Sequence, residues 1–194
     1  MAPVHQDIHR EIIELSKTGN QKAQYQLYKL YSRAMFNICY RMVNNREEAE
    51  DLLQDSFCDA FTNLDSFRYE SSFGIWLKKI VVNKCINWIR KKKISLVSHE
   101  EINEPAQNTD SEIDYEEVSM NVNKIHMAIG QLAEGYRIIF SLYALEGYDH
   151  AEISEILGIS ESTSKSQYLR AKNKIKEILK SDTYEKRQTG TVHN

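Results

Sequence analysis

Residues Gly147-Tyr-Asp-His-Ala-Glu-Ile-Ser-Glu-Ile-Leu-Gly-Ile-Ser160, and the Glu161-Ser-Thr-Ser-Lys-Ser-Gln-Tyr-Leu-Arg-Ala-Lys172 that follow, carry the most decisive local pattern of the chain. Asp149 and Glu152 have capping-box spacing, in which each side chain satisfies a backbone amide left open at a helix start. Ala151, Ile153, Ile156 and Leu157 are the apolar residues of that helix, Gly158 is its stop, and Ser160 stands where it can cap the next one. Two short helices across a tight turn make a helix-turn-helix layout. The second helix has an apolar face at Tyr168, Ala171, Ile175 and Ile178, with Lys165, Ser166, Leu169, Arg170 and Lys172 at or beside its open face. Residues after such a turn enter the major groove, where Lys and Arg reach guanine edges or phosphates and Ser bonds to several bases. A charged helix face can also be merely solvated, and the turn ahead of it is what favours DNA.

Working outward, two prolines, seven glycines and apolar residues at three and four spacing predict an all-α chain. A first helix is expected around Ile8, Ile12 and Leu15, closed by Gly19, and a second with Ala23, Leu27, Leu30, Ala34, Ile38 and Met42 on one stripe. Asn45 with Glu48 predicts a capping box for a third, whose stripe is Ala49, Leu52, Leu53, Phe57, Ala60, Phe61 and Leu64. After a loop from Asp65 to Ser72, a fourth helix should bury Phe73, Leu77, Ile80, Val81, Cys85 and Trp88 and end in Arg90-Lys-Lys-Lys93. Periodicity then stops. From Ile94 to Glu117 the chain has eight acidic residues and no Lys or Arg, which predicts a flexible acidic linker. Beyond it, Val118, Val122, Ile125, Ile129 and Leu132, then Tyr136, Ile139, Phe140 and Tyr143, lead back to Gly147. The expectation is two small helical domains, 1–93 and 118–180, joined by the linker 94–117, with a frayed tail at 181–194.

Composition limits what such a chain can do. At 194 residues and 41% hydrophobic, it is long enough for two small domains and too apolar for global disorder. A formal net charge of −3 means that any DNA binding comes from local basic patches set against acidic segments. Cys39, Cys58 and Cys85 form no CxxC pair and read as reduced, buried residues rather than a disulfide frame or zinc site. No apolar run reaches the length of a membrane span, and Asp7, His9 and Glu11 stand where the apolar core of a secretion signal should begin. A soluble cytoplasmic protein is therefore expected. No phosphate loop, metal-ligand cluster or nucleophile-base pair stands out, so neither an enzyme nor a cofactor is expected.

Two further groups of residues point to binding. In the fourth helix Lys79, Asn83, Asn87 and Arg90 share a polar face spanning roughly 80° at about 100° per residue. Phe67-Arg68-Tyr69-Glu70 lies immediately before it, and rings beside a cationic track are how single strands are held, although such aromatics are also common core residues. In the third helix Asp51, Gln54, Asp55 and Cys58 project away from the apolar stripe, as a solvated face also would.

Together these blocks resemble the extracytoplasmic-function (ECF) sigma factors, the small two-domain branch of the sigma-70 family. The resemblance covers nearly the whole chain. Arg46-Glu-Glu-Ala-Glu-Asp-Leu-Leu-Gln-Asp-Ser-Phe57 looks like the polymerase-docking helix. Phe67-Arg-Tyr-Glu-Ser-Ser-Phe-Gly-Ile-Trp-Leu77, with Val82-Asn83 and Asn87-Trp-Ile-Arg-Lys-Lys-Lys93, looks like the segment that melts and reads the −10 element. Gly147 to Lys172 is similar to the domain that reads the −35 element. The resemblance implies that Asp51, Gln54 and Asp55 dock on the clamp helices of core RNA polymerase, whose flap is a further contact. It also implies that Phe67, Arg68, Lys79, Asn83, Asn87 and Arg90 serve −10 recognition and melting, and that Ser162, Thr163, Lys165, Ser166, Leu169 and Arg170 read the −35 duplex. Promoter DNA, duplex and single-stranded, is then a partner, and an anti-sigma factor is a candidate regulator.

The sequence departs from the family at Gly74, where a longer side chain is common, at Ala133, where proline is common, and at Ser164 and Gln167, where valine and arginine are frequent. Ser164 puts a hydroxyl near the core of the turn, and Gln167 removes a phosphate-binding charge. Two rival functions are an operator-binding regulator, which the Phe67 to Lys93 segment disfavours, and a helical adaptor that does not touch DNA, which the basic last helix disfavours.

Overall fold

The computed structural model describes residues 8–96 and 118–189, contains no strand among them, and divides the chain into two units at Glu101. The first unit has α1 (Arg10–Lys17), α2 (Gln21–Val43), α3 (Arg46–Thr62), a 3-10 turn (Leu64–Ser66) and α4 (Phe73–Leu96). The second has α5 (Val118–Gly130), α6 (Glu134–Phe140) with a π-helical turn at Ser141–Leu145, α7 (His150–Leu157) and α8 (Glu161–Thr189). Residues 97–117, most of the expected linker, and 190–194 of the expected tail lie outside the described residues.

Two consecutive asparagines separate α2 from α3. Asn44 takes the left-handed φ of 55° that ends α2, and the Asn45 side chain accepts the Glu48 amide to open α3. The expected capping box is only half formed, because the Glu48 carboxylate turns to Lys92 of α4 at 3.0 Å. Helix α2 packs against α1, α3 and α4, and Ile13, Leu27, Cys39, Ala49, Phe73, Leu77, Val81 and Cys85 are fully enclosed.

Two expected stripes are wrong in detail. In α1 the buried residues are Ile13 and Ser16, whereas Ile8 is 90% exposed and Leu15 is also exposed. Eight residues are too few for spacing to fix which face is inside. In α2 the buried set is Ala23, Leu27, Met35, Ile38, Cys39, Met42 and Val43, so the buried face winds round the helix as its neighbours change. Leu30 and Ala34, on a straight continuation of the stripe, are left exposed. Helix α4 buries Val82, Ile86 and Ile89 in addition to the expected residues, with Ile80 and Trp88 only half-buried, and it runs to Leu96 rather than ending at Lys93. Cys58 is exposed, against the expectation for it, while Cys39 and Cys85 are buried.

In the second unit, Ala128, Ile129 and Leu132 of the α5 segment meet Ala171 and Ile175 of α8, with Tyr136, Phe140, Ile178 and Leu179 around them. Leu142, not Tyr143, is the enclosed residue at the end of the α6 segment. Both halves of the Asp149–Glu152 capping box are formed, Gly158 ends α7 at φ 68°, and Ser160 accepts the Thr163 amide at 3.1 Å. Helix α8 continues past the expected end at 180 to Thr189, since nothing before Gly190 interrupts it.

Ala133 opens α6 at φ −55° and ψ 144° and is exposed, and among the described residues no backbone hydrogen bond from its amide is found. A proline fits that backbone. Ala133→Pro should therefore stabilise the second unit by about 0.4–1 kcal/mol, by restricting the unfolded chain. Thermal melting checks this: a rise of a few degrees is expected, and a fall would contradict the local geometry.

Candidate nucleic-acid and polymerase surfaces

The candidate recognition surface of the second unit is built by the α7 and α8 caps. They fix the phase of α8 so that Ser162, Lys165, Ser166, Leu169 and Arg170 are all exposed together, opposite Ala171 and Ile175. Thr163 differs. It is half-buried and its hydroxyl lies 2.7 Å from that of Ser160, which also meets Ser162 at 2.9 Å, so both residues contribute to the cap that starts the helix. Lys165 pairs with Glu161 at 2.6 Å on the open surface, where a phosphate can displace the carboxylate at small cost. Leu169, 56% exposed between Lys165 and Arg170, offers an apolar tip of the kind that touches a thymine methyl.

The two departures in this helix have distinct structural outcomes. Ser164 is fully buried and its hydroxyl meets Nδ1 of His150 at 2.9 Å. The His150 ring in turn stacks on Tyr143 at 4.3 Å and meets the edge of Tyr168 at 5.8 Å. Gln167 is half-buried and its Oε1 lies against Gly135 of α6. That position faces α6, so a charge missing there is not a gap in the exposed α8 face.

In the first unit, α4 leaves Lys79, Asn83, Asn87 and Arg90 exposed in one strip. Asn83 and Asn87 line a shallow groove of about 500 Å³ with Asp59, Asn63, Ser66 and Trp76. Lys84 stands at its wall, held by Asp59 at 2.6 Å and Asp55 at 3.8 Å, and the Asp59 contact raises its pKa. Trp76, half-buried at the groove, was not singled out from sequence, although its spacing to Ile80, Asn83 and Asn87 is the signal that aligns them.

Phe67 is corrected. It is only 3% exposed and packs against Tyr69, Phe73 and Trp76 at centroid distances of 4.7, 5.7 and 5.4 Å. Its ring is core, as is that of Tyr69, because the turn at Leu64–Ser66 folds the loop back onto the start of α4. Neither ring is open to stack on a base. Between them Arg68 is exposed, and Glu70 beyond Tyr69 is exposed too.

On α3, Asp51, Gln54 and Asp55 are exposed on the side away from Leu52, Leu53, Ser56 and Phe57. Among the described residues no group of three His, Cys, Asp or Glu side chains could hold a metal, and no helix is long and apolar enough to cross a membrane.

These features agree with comparisons to known proteins. The Sigma-70 region 2 model matches residues 27–94, and the Sigma-70, region 4 model matches residues 123–175. The ECF RNA polymerase sigma factor SigW of Bacillus subtilis is 30% identical over 181 residues, covering 87% of this chain and 95% of SigW. SigM of Mycobacterium tuberculosis is 26% identical over 175 residues, covering 90% of this chain and 86% of SigM. In fold, the chain resembles the sigma factor RpoE of Bartonella quintana, solved in complex with the anti-sigma factor NepR, with a TM-score of 0.58 and 24% identity across 81% of this chain and 97% of that one. The chain therefore belongs to the ECF branch of the sigma-70 family and is an RNA polymerase sigma factor acting in transcription initiation.

Proposed function

We propose that the first unit docks on the clamp helices of core RNA polymerase through Asp51, Gln54 and Asp55 and reads the opened −10 element along α4. Arg68, Lys79, Asn83, Asn87 and Arg90 carry the −10 contacts. Phe67 serves this surface by shaping the loop from within the core. The observation that carries the reading is the groove lined by Asn83 and Asn87 beside Trp76, with cations at both ends of the same strip. Amides suit base edges, cations track the backbone, and an aromatic wall suits an unstacked base.

The second unit sets Lys165, Ser166, Leu169 and Arg170 in the major groove of the −35 element, with Ser162 and Thr163 at the helix start near phosphate. The polymerase flap is its protein contact. Domain limits of 1–93 and 118–180, a tether between them and a cytoplasmic location complete the reading, and the protein acts by binding, without a catalytic step of its own. An anti-sigma protein is a fitting regulator, by analogy with the NepR-bound neighbour.

Run-off transcription with purified core polymerase tests the whole reading. Initiation from a linear promoter with no other factor is expected, while operator binding without initiation would mean a conventional regulator.

Within that assay, Lys165→Ala or Arg170→Ala should cost about 1–3 kcal/mol of promoter binding if a base contact is lost, and should reduce the salt slope if the contact is to phosphate. Wild-type transcription from every promoter by both variants would refute the assignment of α8.

Asn83→Ala should impair initiation on duplex promoters and recover much of it on a template carrying a mismatched bubble, because the few kcal/mol needed to unstack the base is already met there. Phe67→Ala should behave differently. Loss of a core ring costs about 3–5 kcal/mol of stability, so melting temperature and polymerase docking should fall with no rescue by the bubble. A stable Phe67→Ala variant rescued by the bubble would return Phe67 to the DNA surface.

A further inference from the structure

Tyr69 is one of two described non-glycine residues with positive φ, at 60°. The other, Asn44, is a residue type that tolerates this region, whereas a bulky aromatic seldom enters it and stays only where its surroundings over-determine it. The surroundings here come largely from one short helix. The Tyr69 hydroxyl donates to Oε1 of Glu14 at 2.5 Å, the Arg10 guanidinium lies 4.6 Å from the ring centroid, and the Lys17 ammonium lies 5.0 Å from it. Lys17 also donates to the backbone carbonyl of Phe67 at 3.2 Å and pairs with Glu14 at 3.2 Å. Residues 10, 14 and 17 share one helix face, and all three converge on the loop. The Tyr69 hydroxyl, followed by Lys17 and Arg10, holds the Glu14 carboxyl below the ordinary carboxylate range.

Helix α1 is itself anchored independently. Nδ1 of His9 meets the Tyr31 hydroxyl at 2.9 Å, and the Tyr31 ring packs on Phe73 at 5.1 Å. Gly74 leaves room for that ring, since a Cβ there would stand 3.1 Å from Tyr31 Cε1 and the ring would have to shift slightly. The departure at Gly74 thus belongs to the same arrangement, which joins α1, α2 and the start of α4. Helix α1 precedes residues 27–94, the span matched by the region 2 model.

We infer that α1 is a brace for the −10-reading loop, with Glu14 and Tyr69 as positioning residues that hold the left-handed turn and thereby aim Arg68 outward from a loop whose Phe67 packs on Trp76 of the Asn83 groove. The inference rests on the proposed −10 role of that groove. With Tyr69 turned inward, its neighbours Arg68 and Glu70 are both exposed. A loop fixed before DNA arrives loses less conformational freedom when an unstacked base enters, so the brace acts on opening rather than on polymerase affinity.

The test uses the full-length chain with core polymerase, on a promoter selected with the parent protein and carrying a fluorescent base analogue in the −10 element. Tyr69→Phe removes only the hydroxyl, Glu14→Ala removes the acceptor, and Glu14→Gln keeps an acceptor without charge. The expected result is duplex opening slowed three- to tenfold in Tyr69→Phe and Glu14→Ala, with parent-like polymerase binding and parent-like activity on a pre-opened bubble. Glu14→Gln should recover part of the rate. Parent-like opening of duplex by both Tyr69→Phe and Glu14→Ala overturns the brace, as does equal slowing on duplex and bubble with lowered polymerase binding, the signature of a merely structural role. Arg68→Ala and Asn83→Ala run alongside: if they slow opening while the α1 and Tyr69 variants do not, the brace alone fails, and if none of them does, the −10 reading fails with it.

Discussion

Helix α4 carries the constraint on which the first unit depends. It buries Phe73, Leu77, Val81, Val82, Cys85, Ile86 and Ile89, an apolar face too broad to be covered by one neighbour, and so it lies in the cleft made by α2 and α3. Only a narrow strip of its surface can then remain polar without burying unpaired groups. Lys79, Asn83, Asn87 and Arg90 occupy that strip. The direction faced by these polar side chains is therefore set by hydrophobic burial on the far side, and a rotation of α4 by one residue would carry amides into the core.

The same burial decides what the neighbours of α4 can do. Glu48 would ordinarily close its own helix start, yet it pairs with Lys92 at the far end of α4, while Lys92 also lies 4.6 Å from the Trp88 ring. Lys84 is similarly held by Asp59 and Asp55 of α3. These contacts fasten α4 to α3 at two levels, and such partly exposed ion pairs define register more than they add stability. Asp55, exposed on α3, thus pairs with a lysine that lines the α4 groove, which couples the proposed polymerase surface to the proposed DNA surface.

What was legible in the sequence follows from the range of the forces involved. The Asp149–Glu152 box, the Gly158 stop and the Ser160 cap rest on chemistry at fixed local offsets, so the phase of α8 and its open face could be read directly. The α3 stripe and the α4 strip were readable because these helices, of 17 and 24 residues, are long enough for a face to repeat. Periodicity failed in α1, which is too short to define a face, and in α2, whose buried face winds as its partners change. Phe67 and Tyr69 could not be assigned from spacing, since two rings separated by one residue in a loop have no period. Their burial depends on Phe73 and Trp76 and, for Tyr69, on charges some 50 residues away in α1.

The helix-turn-helix shows how a departure from family habit can be absorbed. A hydroxyl at position 164 is buried at the α7–α8 joint, where an unpaired polar group would cost about 1–3 kcal/mol. His150, the first residue of α7, supplies the partner, and its ring is held by Tyr143 and Tyr168. The pair ties the start of α7 to the first turn of α8 by a directional bond where an aliphatic residue would offer only contact. Because the angle between these helices sets the pose of the exposed Lys165 and Arg170, the Ser164–His150 bond shapes the proposed reading surface even though neither residue is on its open face.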